Sequence, residues 1–293
     1  MKKILSLGLA LMLILLFPLY ALADGEDSPD DEIVVSLGAD LNESQQKQIL
    51  ELFGVKRDEV KILTVTIDEE RQFLGGLVSD EKIGHRTISS AYVKPLDKGQ
   101  GIDVETHNIT WVTREMYANA LVTAGVENAK VIAAAPFKVS GTGALTGIMK
   151  AFEEVSGKEL DEDAKEAANE ELVTTGELGE VIGKDEAAAL IKEIKERIAE
   201  LKTKDEGEIR KIVIEISANL NINLTDAQIE QIVKLMKKIS NLDLNVEKIA
   251  GQIEKIAGSL DDVKKVVSEN KGVIKKILES IEKFFAWIRN LLG

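Results

Sequence analysis

The apolar pattern of this 293-residue chain changes near Gly157. Before that point, short runs rich in β-branched residues alternate with segments of helical period, which predicts a sheet with helices between its strands. After it, apolar residues recur only at helical spacing. The sequence therefore predicts an α+β protein, in which a mixed α/β N-terminal domain over 33–157 is followed by an all-α C-terminal helical domain over 186–293.

Two helices of the N-terminal half carry their own start and stop signals. Asn42 fits an N-cap with Gln45 at the capping-box position, and Gly54 fits the residue just past the helix end. Thr113 and Gly125 bracket a second helix in the same way. The segments RTISSAYVKPL and GIDVETHNITWV predict two strands, and we expect the short DKGQG connection to join them as a hairpin.

The segment between the two domains is strongly acidic. Residues 153–186 hold thirteen Asp and Glu against three Lys, together with many alanines. So much charge and so little apolar surface are typical of a solvated helix or a linker. We therefore predict an acidic helical connector over 158–185.

An apolar seam runs through the C-terminal part of the chain. With Ile232 placed at heptad position a, the a and d positions through Leu291 are apolar except for Asn270. Such a seam specifies helix-on-helix packing. Turn-forming residues near Ser240 and Ser259 favour two or three antiparallel helices within one molecule. A helical oligomer is the alternative that this pattern leaves open.

The N-terminus has the features of a secretory signal peptide. Two lysines precede an apolar run from Ile4 to Leu22, and the cleavage pattern Ala-Leu-Ala stands at its end. An acidic linker over 24–32 follows. We expect residues 1–23 to be removed and the mature chain to be secreted or held at the outer face of the cell envelope. An uncleaved anchor is the alternative, because the run is long enough to span a bilayer.

The composition excludes several kinds of chemistry. The chain has no cysteine, which rules out disulfides, thiolate catalysis and cysteine-ligated zinc. Its net charge of −14 argues against nucleic acid as a partner. Because it has only two histidines, a serine-triad enzyme or a zinc hydrolase of the usual kind is not expected. We expect no cofactor.

A glycine-rich segment, VSGTGALTG, is the first candidate site. Gly141, Gly143 and Gly147 permit a close approach of the backbone, and the helix that follows offers free N–H groups to an anion. Thr142 and Thr146 add hydroxyls. These five residues are the candidate ligand-binding set. Their spacing matches neither the P-loop nor the dinucleotide fingerprint, so a glycine turn into a packed helix is the alternative.

A second candidate site lies upstream, in the strand predicted for GIDVETHNITWV. On a strand Asp103, Glu105 and His107 share one face, so two carboxylates and an imidazole could hold a divalent metal ion or act as acid and base. The alternative is a solvated strand face, because nothing else in the sequence marks a site there.

The C-terminal end combines apolar and basic side chains on one predicted helix. The candidate residues for contact with a membrane or an envelope partner are Lys283, Phe284, Phe285, Trp287, Ile288 and Arg289. Aromatic and cationic side chains together suit a bilayer interface. The same face suits packing inside the molecule equally well, and the sequence does not specify the oligomeric state.

Residues 106–157, which read THNITWVTREMYANALVTAGVENAKVIAAAPFKVSGTGALTGIMKAFEEVSG, resemble the core signature of the YpuA-like secreted proteins of Gram-positive bacteria. That family has no assigned biochemical activity. The resemblance covers the signal peptide, the α/β region and the start of the helical region. It implies an exported or envelope-associated protein, and it supplies no catalytic residues.

Three hypotheses for function follow from these observations. The first is a non-enzymatic binding or structural role at the cell surface, which rests partly on analogy with the family. The second is a metal-assisted or carboxylate-based extracellular hydrolase that uses Asp103, Glu105 and His107. The third is a helical oligomerisation module built from the C-terminal seam.

Overall fold

The computed structural model describes residues 32–79 and 83–242. Its strands are β1 (Val34–Gly38), β2 (Lys61–Val65), β3 (Ser90–Pro95), β4 (Ile102–Ile109) and β5 (Ala129–Val139). Its helices are α1 (Glu43–Phe53), α2 (Ile67–Leu74), α3 (Arg114–Ala124), α4 (Ala144–Ser156), α5 (Glu162–Ile182), α6 (Lys184–Leu201), α7 (Glu206–Asn219) and α8 (Asp226–Asn241). The mixed α/β character predicted from the sequence is confirmed.

The five strands form one sheet in the order β2-β1-β3-β5-β4. β1 and β2 are parallel, and so are β4 and β5, whereas β3 is antiparallel to both β1 and β5. The other four strands therefore run in one direction, and their carboxyl ends meet at the same edge of the sheet. We call this edge the carboxyl edge.

The predicted hairpin between β3 and β4 is wrong. β5 lies between these strands, with Val131 aligned with both Val93 and Val104. β5 is buried along most of its length, so it suits a position inside the sheet, whereas β4 carries exposed charged residues and lies at the edge. The DKGQG connection is held instead by Asn128, whose Oδ1 accepts hydrogen bonds from the backbone N–H of Gly99 at 2.8 Å and of Gly101 at 3.2 Å.

Alternating side chains of the strands build a separate core on each face of the sheet. Val35, Tyr92 and Ile132 pack under α1 on one face. On the other face Val93 and Val131 belong to a larger core that contains the apolar residues of α3 and α4. Consequently β1 continues into a helix on one face and β5 into a helix on the other. In open α/β sheets, a crevice at the carboxyl ends of such strands is the usual place for a ligand.

The caps predicted for the first helices are present. Asn42 Oδ1 accepts a hydrogen bond from the backbone N–H of Gln45 at 2.9 Å, and the Gln45 side chain accepts one from the backbone N–H of Asn42 at 3.0 Å. Gly54 and Gly125 end α1 and α3 in the left-handed region, with φ values of 71° and 88°. Glycine adopts this conformation without the strain that a β-carbon would add.

Helix α5 differs from the solvated connector that the acidic composition led us to expect. The helix forms, but its Ala168 and Leu172 are buried in the core that contains α3, while Ala167 and Leu178 enter a second core with α6, α7 and α8. The acidic residues lie mainly between these apolar positions, so a composition average hides an apolar stripe. The boundaries of the predicted domains stay predictions.

The start of the predicted heptad seam lies in this second core. Ile232, Leu235 and Ile239 are buried there, and Leu242 packs against it. The seam positions after Leu242 lie outside the described residues. Among the described helices, none has the combination of length and apolar composition needed to cross a bilayer.

Candidate functional site

A cleft of 580 Å³ opens at the carboxyl edge of the sheet, next to the glycine-rich segment. We call it the Glu70 cleft. Its lining includes Glu70, His85, Arg86, Trp111, Phe137 and Thr142. Gly143 and Ser140 also line it, so the cleft brings part of the candidate ligand-binding set together with residues from α2 and from the segment before β3.

The glycine-rich segment is shaped first by packing. Gly141 has a φ of 95°, and a β-carbon there would lie 2.3 Å from Cγ2 of Ile109. The buried Tyr117 hydroxyl donates a hydrogen bond to the Gly141 carbonyl. Thr142 is buried, and its hydroxyl lies 3.3 Å from that of Ser140. The backbone of this turn is therefore held in one shape by the helix and strand around it.

The other two glycines permit α4 to approach its neighbours closely. A β-carbon on Gly147 would lie 2.5 Å from the Ser36 hydroxyl of β1. One on Gly143 would lie between 2.1 and 2.3 Å from the Glu70 carboxylate. Gly143 is the N-cap of α4, so the chain's own carboxylate lies where the sequence analysis expected an external anion. Within the described part of the chain, the buried hydroxyls of Ser36 and Thr146 have no hydrogen-bond partner.

Glu70 is the most unusual ionisable group of the cleft. It is only 3% exposed, and among the described residues no lysine, arginine or histidine pairs with it. Burial raises its pKa to about 7, because a charged carboxylate loses solvation when it leaves water. The Thr87 hydroxyl opposes this rise, although it falls short of hydrogen-bond geometry. The charges of Asp40 and Glu69 add to the rise.

The neighbouring carboxylate, Glu69, has a different environment. It accepts a hydrogen bond from Lys150 Nζ at 2.5 Å and caps the start of α2 through Thr66. Two adjacent acids on one helix therefore have opposite roles. Glu69 is a paired, partly exposed capping residue, and Glu70 is a buried carboxylate that faces the cleft and has no counter-charge among residues 32–79 and 83–242.

The described basic groups near the cleft contact other partners. Arg71 donates to the Gly84 carbonyl and lies 3.3 Å from His85 Nδ1. Arg86 donates to the Asp40 carbonyl at 3.2 Å. Two aromatic side chains, Trp111 and Phe137, complete the wall of the cleft. Phe137 is 46% exposed, which is unusual for so large an apolar side chain.

Comparison with known proteins places the chain in a family. The model of a family described as "Protein of unknown function (DUF1002)" matches residues 37–256. The chain belongs to the DUF1002 family. It is also similar to a protein of Bacillus subtilis (strain 168) that carries the name "Uncharacterized protein YpuA", with 42% identity across 100% of this chain and 98% of the relative. No solved structure matches it. The resemblance to YpuA-like proteins is therefore confirmed.

The second candidate set of this DUF1002 protein lies on one face of β4, as predicted, but away from the cleft lining. Glu105 is paired with Lys130, whose Nζ lies 2.8 Å from Oε1, and this hydrogen bond lowers the pKa of the carboxyl group. His107 Nε2 lies 3.9 Å from Glu105 Oε2. Within residues 32–79 and 83–242, no three His, Asp or Glu side chains are arranged to hold a metal ion. The metal and hydrolase roles of Asp103, Glu105 and His107 stay predictions.

The third candidate set lies outside the described residues. It comprises Lys283, Phe284, Phe285, Trp287, Ile288 and Arg289. The signal peptide and most of the acidic linker lie outside them as well. Contact of the C-terminal helix with a membrane or with an envelope partner stays a prediction.

Sequence reasoning missed Glu70, Phe137, His85 and Arg86. A signal for Glu70 was present in the DUF1002 chain, because Ile67, Glu70 and Leu74 follow helical spacing on one stripe. A carboxylate on an otherwise apolar stripe is a candidate for burial, and buried acids are concentrated at functional sites. Phe137 gave no comparable signal, since an aromatic residue in a strand usually belongs to the core.

Proposed function

We propose that this DUF1002 protein is a non-enzymatic binding protein of the cell surface, and that its ligand occupies the Glu70 cleft. One observation carries the proposal. A buried carboxylate that no described basic side chain neutralises forms part of a cleft at the carboxyl edge of the sheet, beside a rigid glycine turn. A site of this kind costs stability, because the carboxylate is desolvated without a partner. A ligand that supplied the missing partner would offset that cost.

The surface location rests on the N-terminal sequence. Lysines, an apolar run and an Ala-Leu-Ala pattern precede an acidic stretch, and the mature chain would begin near Asp24. In this reading the protein is secreted or held at the outer face of the envelope. Cell fractionation tests the proposed location outside the cell membrane directly. We expect the mature form to be degraded by protease added to intact protoplasts or to be found in the medium, whereas a protected, unprocessed chain would refute it.

We further propose that the helices from α6 onward belong to an all-α C-terminal domain whose partner is another envelope component. The support is the second core, in which apolar residues of α6, α7 and α8 pack together. The basic excess of the last part of the chain, twelve Lys and Arg against eight Asp and Glu from Gln231 onward, suits an acidic partner surface. Self-association through the seam is the alternative reading.

Binding in the cleft is tested by comparing three forms of the mature chain. The wild type, a blocked form with Ser89→Trp and a control with Lys98→Trp are immobilised. Ser89 lines the cleft, whereas Lys98 lies in the exposed connection before β4, so the control adds the same ring elsewhere. Each form is exposed to the low-molecular-weight fraction of a cell-wall digest, and retained compounds are identified by mass spectrometry.

We expect the wild type and the Lys98→Trp control to retain a compound that the Ser89→Trp form does not retain. Circular dichroism and thermal melting establish that the blocked form is folded. Identical retention by all three forms, or retention by none, would refute a ligand in the cleft.

A further inference from the structure

The Glu70 cleft contains a negative charge that the described chain does not neutralise. We propose that the cleft selects ligands carrying an ammonium group, which pairs with the Glu70 carboxylate while the rest of the ligand packs against Phe137. This inference rests on the proposed function, because it names the chemical class that the same cleft would bind.

In the described part of the chain, no charged side chain around Glu70 neutralises its carboxylate. On its own helix, Glu69 is paired with Lys150 of α4, and Arg71 is directed to Gly84 and His85. From the loop after β1, Asp40 adds a further negative charge nearby. Each of these contacts either uses a cation elsewhere or increases the negative potential at Glu70.

The remaining elements that pack against α2 and the cleft do not supply a cation to Glu70 either. Arg86, before β3, donates to the Asp40 carbonyl. Lys165 of α5 is paired with Glu153 and Glu162 rather than with Glu70. Burial raises the pKa of Tyr117 of α3, so that side chain stays neutral.

The position of Glu70 favours a cation over an anion. Its carboxylate lies against Gly143, at the start of α4, where a bound anion would otherwise receive the helix N–H groups. An anionic ligand would meet this carboxylate, whereas an ammonium group would gain an ion pair in a site of low dielectric constant. The exposed ring of Phe137 on the cleft wall offers an apolar surface against which the rest of the ligand can pack.

The chain offers a reporter for binding to this cleft. It has two tryptophans, Trp111 on the cleft wall and Trp287 near the C-terminus. In a full mature chain with Trp287→Phe, fluorescence comes from Trp111 alone. Three probes are titrated: choline, its neutral isostere 3,3-dimethylbutanol, and n-butyrate. Choline keeps its positive charge at every pH, so any pH dependence of binding belongs to the protein.

We expect choline to bind and the neutral and anionic probes to bind at least roughly tenfold more weakly, because they cannot form the ion pair. Choline binding should weaken by about tenfold or more between about pH 8.5 and about pH 5.5, since the apparent affinity falls with the fraction of protein that is competent to bind. Glu70→Gln should bind weakly at both pH values. Glu215→Gln, which removes an exposed carboxylate of α7, should behave as wild type.

Phe137→Ala provides a second line of test that does not depend on altering a buried group. Phe137 is exposed, so its truncation leaves the core intact, and we expect choline affinity to fall several-fold. Ile214→Ala, at a similarly exposed apolar residue of α7, is the matched control.

Equal binding of choline and 3,3-dimethylbutanol, unchanged binding by Glu70→Gln, or no response to choline would each overturn the ammonium inference. Cleft-dependent retention of a wall compound without an ammonium group would do the same while leaving the proposed binding function intact. The absence of any compound that distinguishes the Ser89→Trp form overturns the proposed function itself.

Discussion

The ammonium nitrogen of Lys195 lies 2.7 Å from Oε1 of Glu171, and both side chains are only 1% exposed. Lys195 also donates to the Asn119 carbonyl at 2.7 Å and to the Thr123 hydroxyl at 2.9 Å. Burial lowers the pKa of Lys195, and the Glu171 carboxylate opposes that change. The pair therefore joins α6 and α5 to α3, and through α3 to the face of the sheet.

We expect Lys195→Met to cost roughly 3–5 kcal/mol of unfolding free energy, because it leaves Glu171 buried without its partner. The double change Lys195→Met with Glu171→Leu should recover most of that loss, since an apolar pair removes both desolvated charges. Urea denaturation at neutral pH measures the unfolding free energy of the single and the double variant. Arg197→Met, which breaks the exposed ion pair with Glu200 on the same helix, is the control and should cost no more than about 1 kcal/mol. A loss of unfolding free energy of about 1 kcal/mol or less for Lys195→Met alone would contradict this account.

Glu70 should make stability depend on pH in a defined window. Burial raises its pKa from the ordinary value of 4.5 to about 7 in the folded protein, so between these values the folded state holds more protons than the unfolded state. Relative to Glu70→Gln, the wild type should therefore lose stability as pH rises from about 4.5 to about 7, by about 3 kcal/mol at roughly 1.4 kcal/mol for each pKa unit. Below about pH 4.5 and above about pH 7, the difference in unfolding free energy between the wild type and Glu70→Gln should be constant.

Urea unfolding of the two proteins across this pH range measures the effect, because the difference between them cancels the other titrating groups. Choline, if it pairs with Glu70, should reduce the loss at high pH. A difference between the two proteins that does not change with pH would show that Glu70 ionises normally in the folded state.

Features that depend on a few neighbouring residues could be predicted from the sequence. Asn42, Gln45 and Gly54 define α1 through contacts within single helical turns. The seam residue Ile232 was placed correctly because its burial follows from helical spacing. The pairing of β3 with β5 could not be predicted in the same way, because it depends on which strands lie inside the sheet and which lie at its edge.

The candidate site was predicted only in part for the same reason. Glycines close together in the sequence marked the turn before α4, but the group against that turn comes from α2, far upstream in the chain. The burial of Glu70 is a property of the packed structure, and so is its raised pKa. The acidic composition of α5 was misleading, because burial follows the positions of its apolar residues rather than their proportion.

The contact between Gly143 and Glu70 can be tested with a double-mutant cycle. Gly143 has a φ of −71°, so alanine fits its backbone conformation, but the added carbon would strike the Glu70 carboxylate. We expect Gly143→Ala to cost about 1–3 kcal/mol, the usual range for overpacking. In a Glu70→Ala background the same substitution should be nearly neutral, because the group that it strikes is gone. Gly147→Ala strikes Ser36 instead, so its cost should be the same in both backgrounds. Urea denaturation of the six proteins measures the coupling, and a cost of Gly143→Ala that does not depend on residue 70 would show that the two residues do not touch in solution.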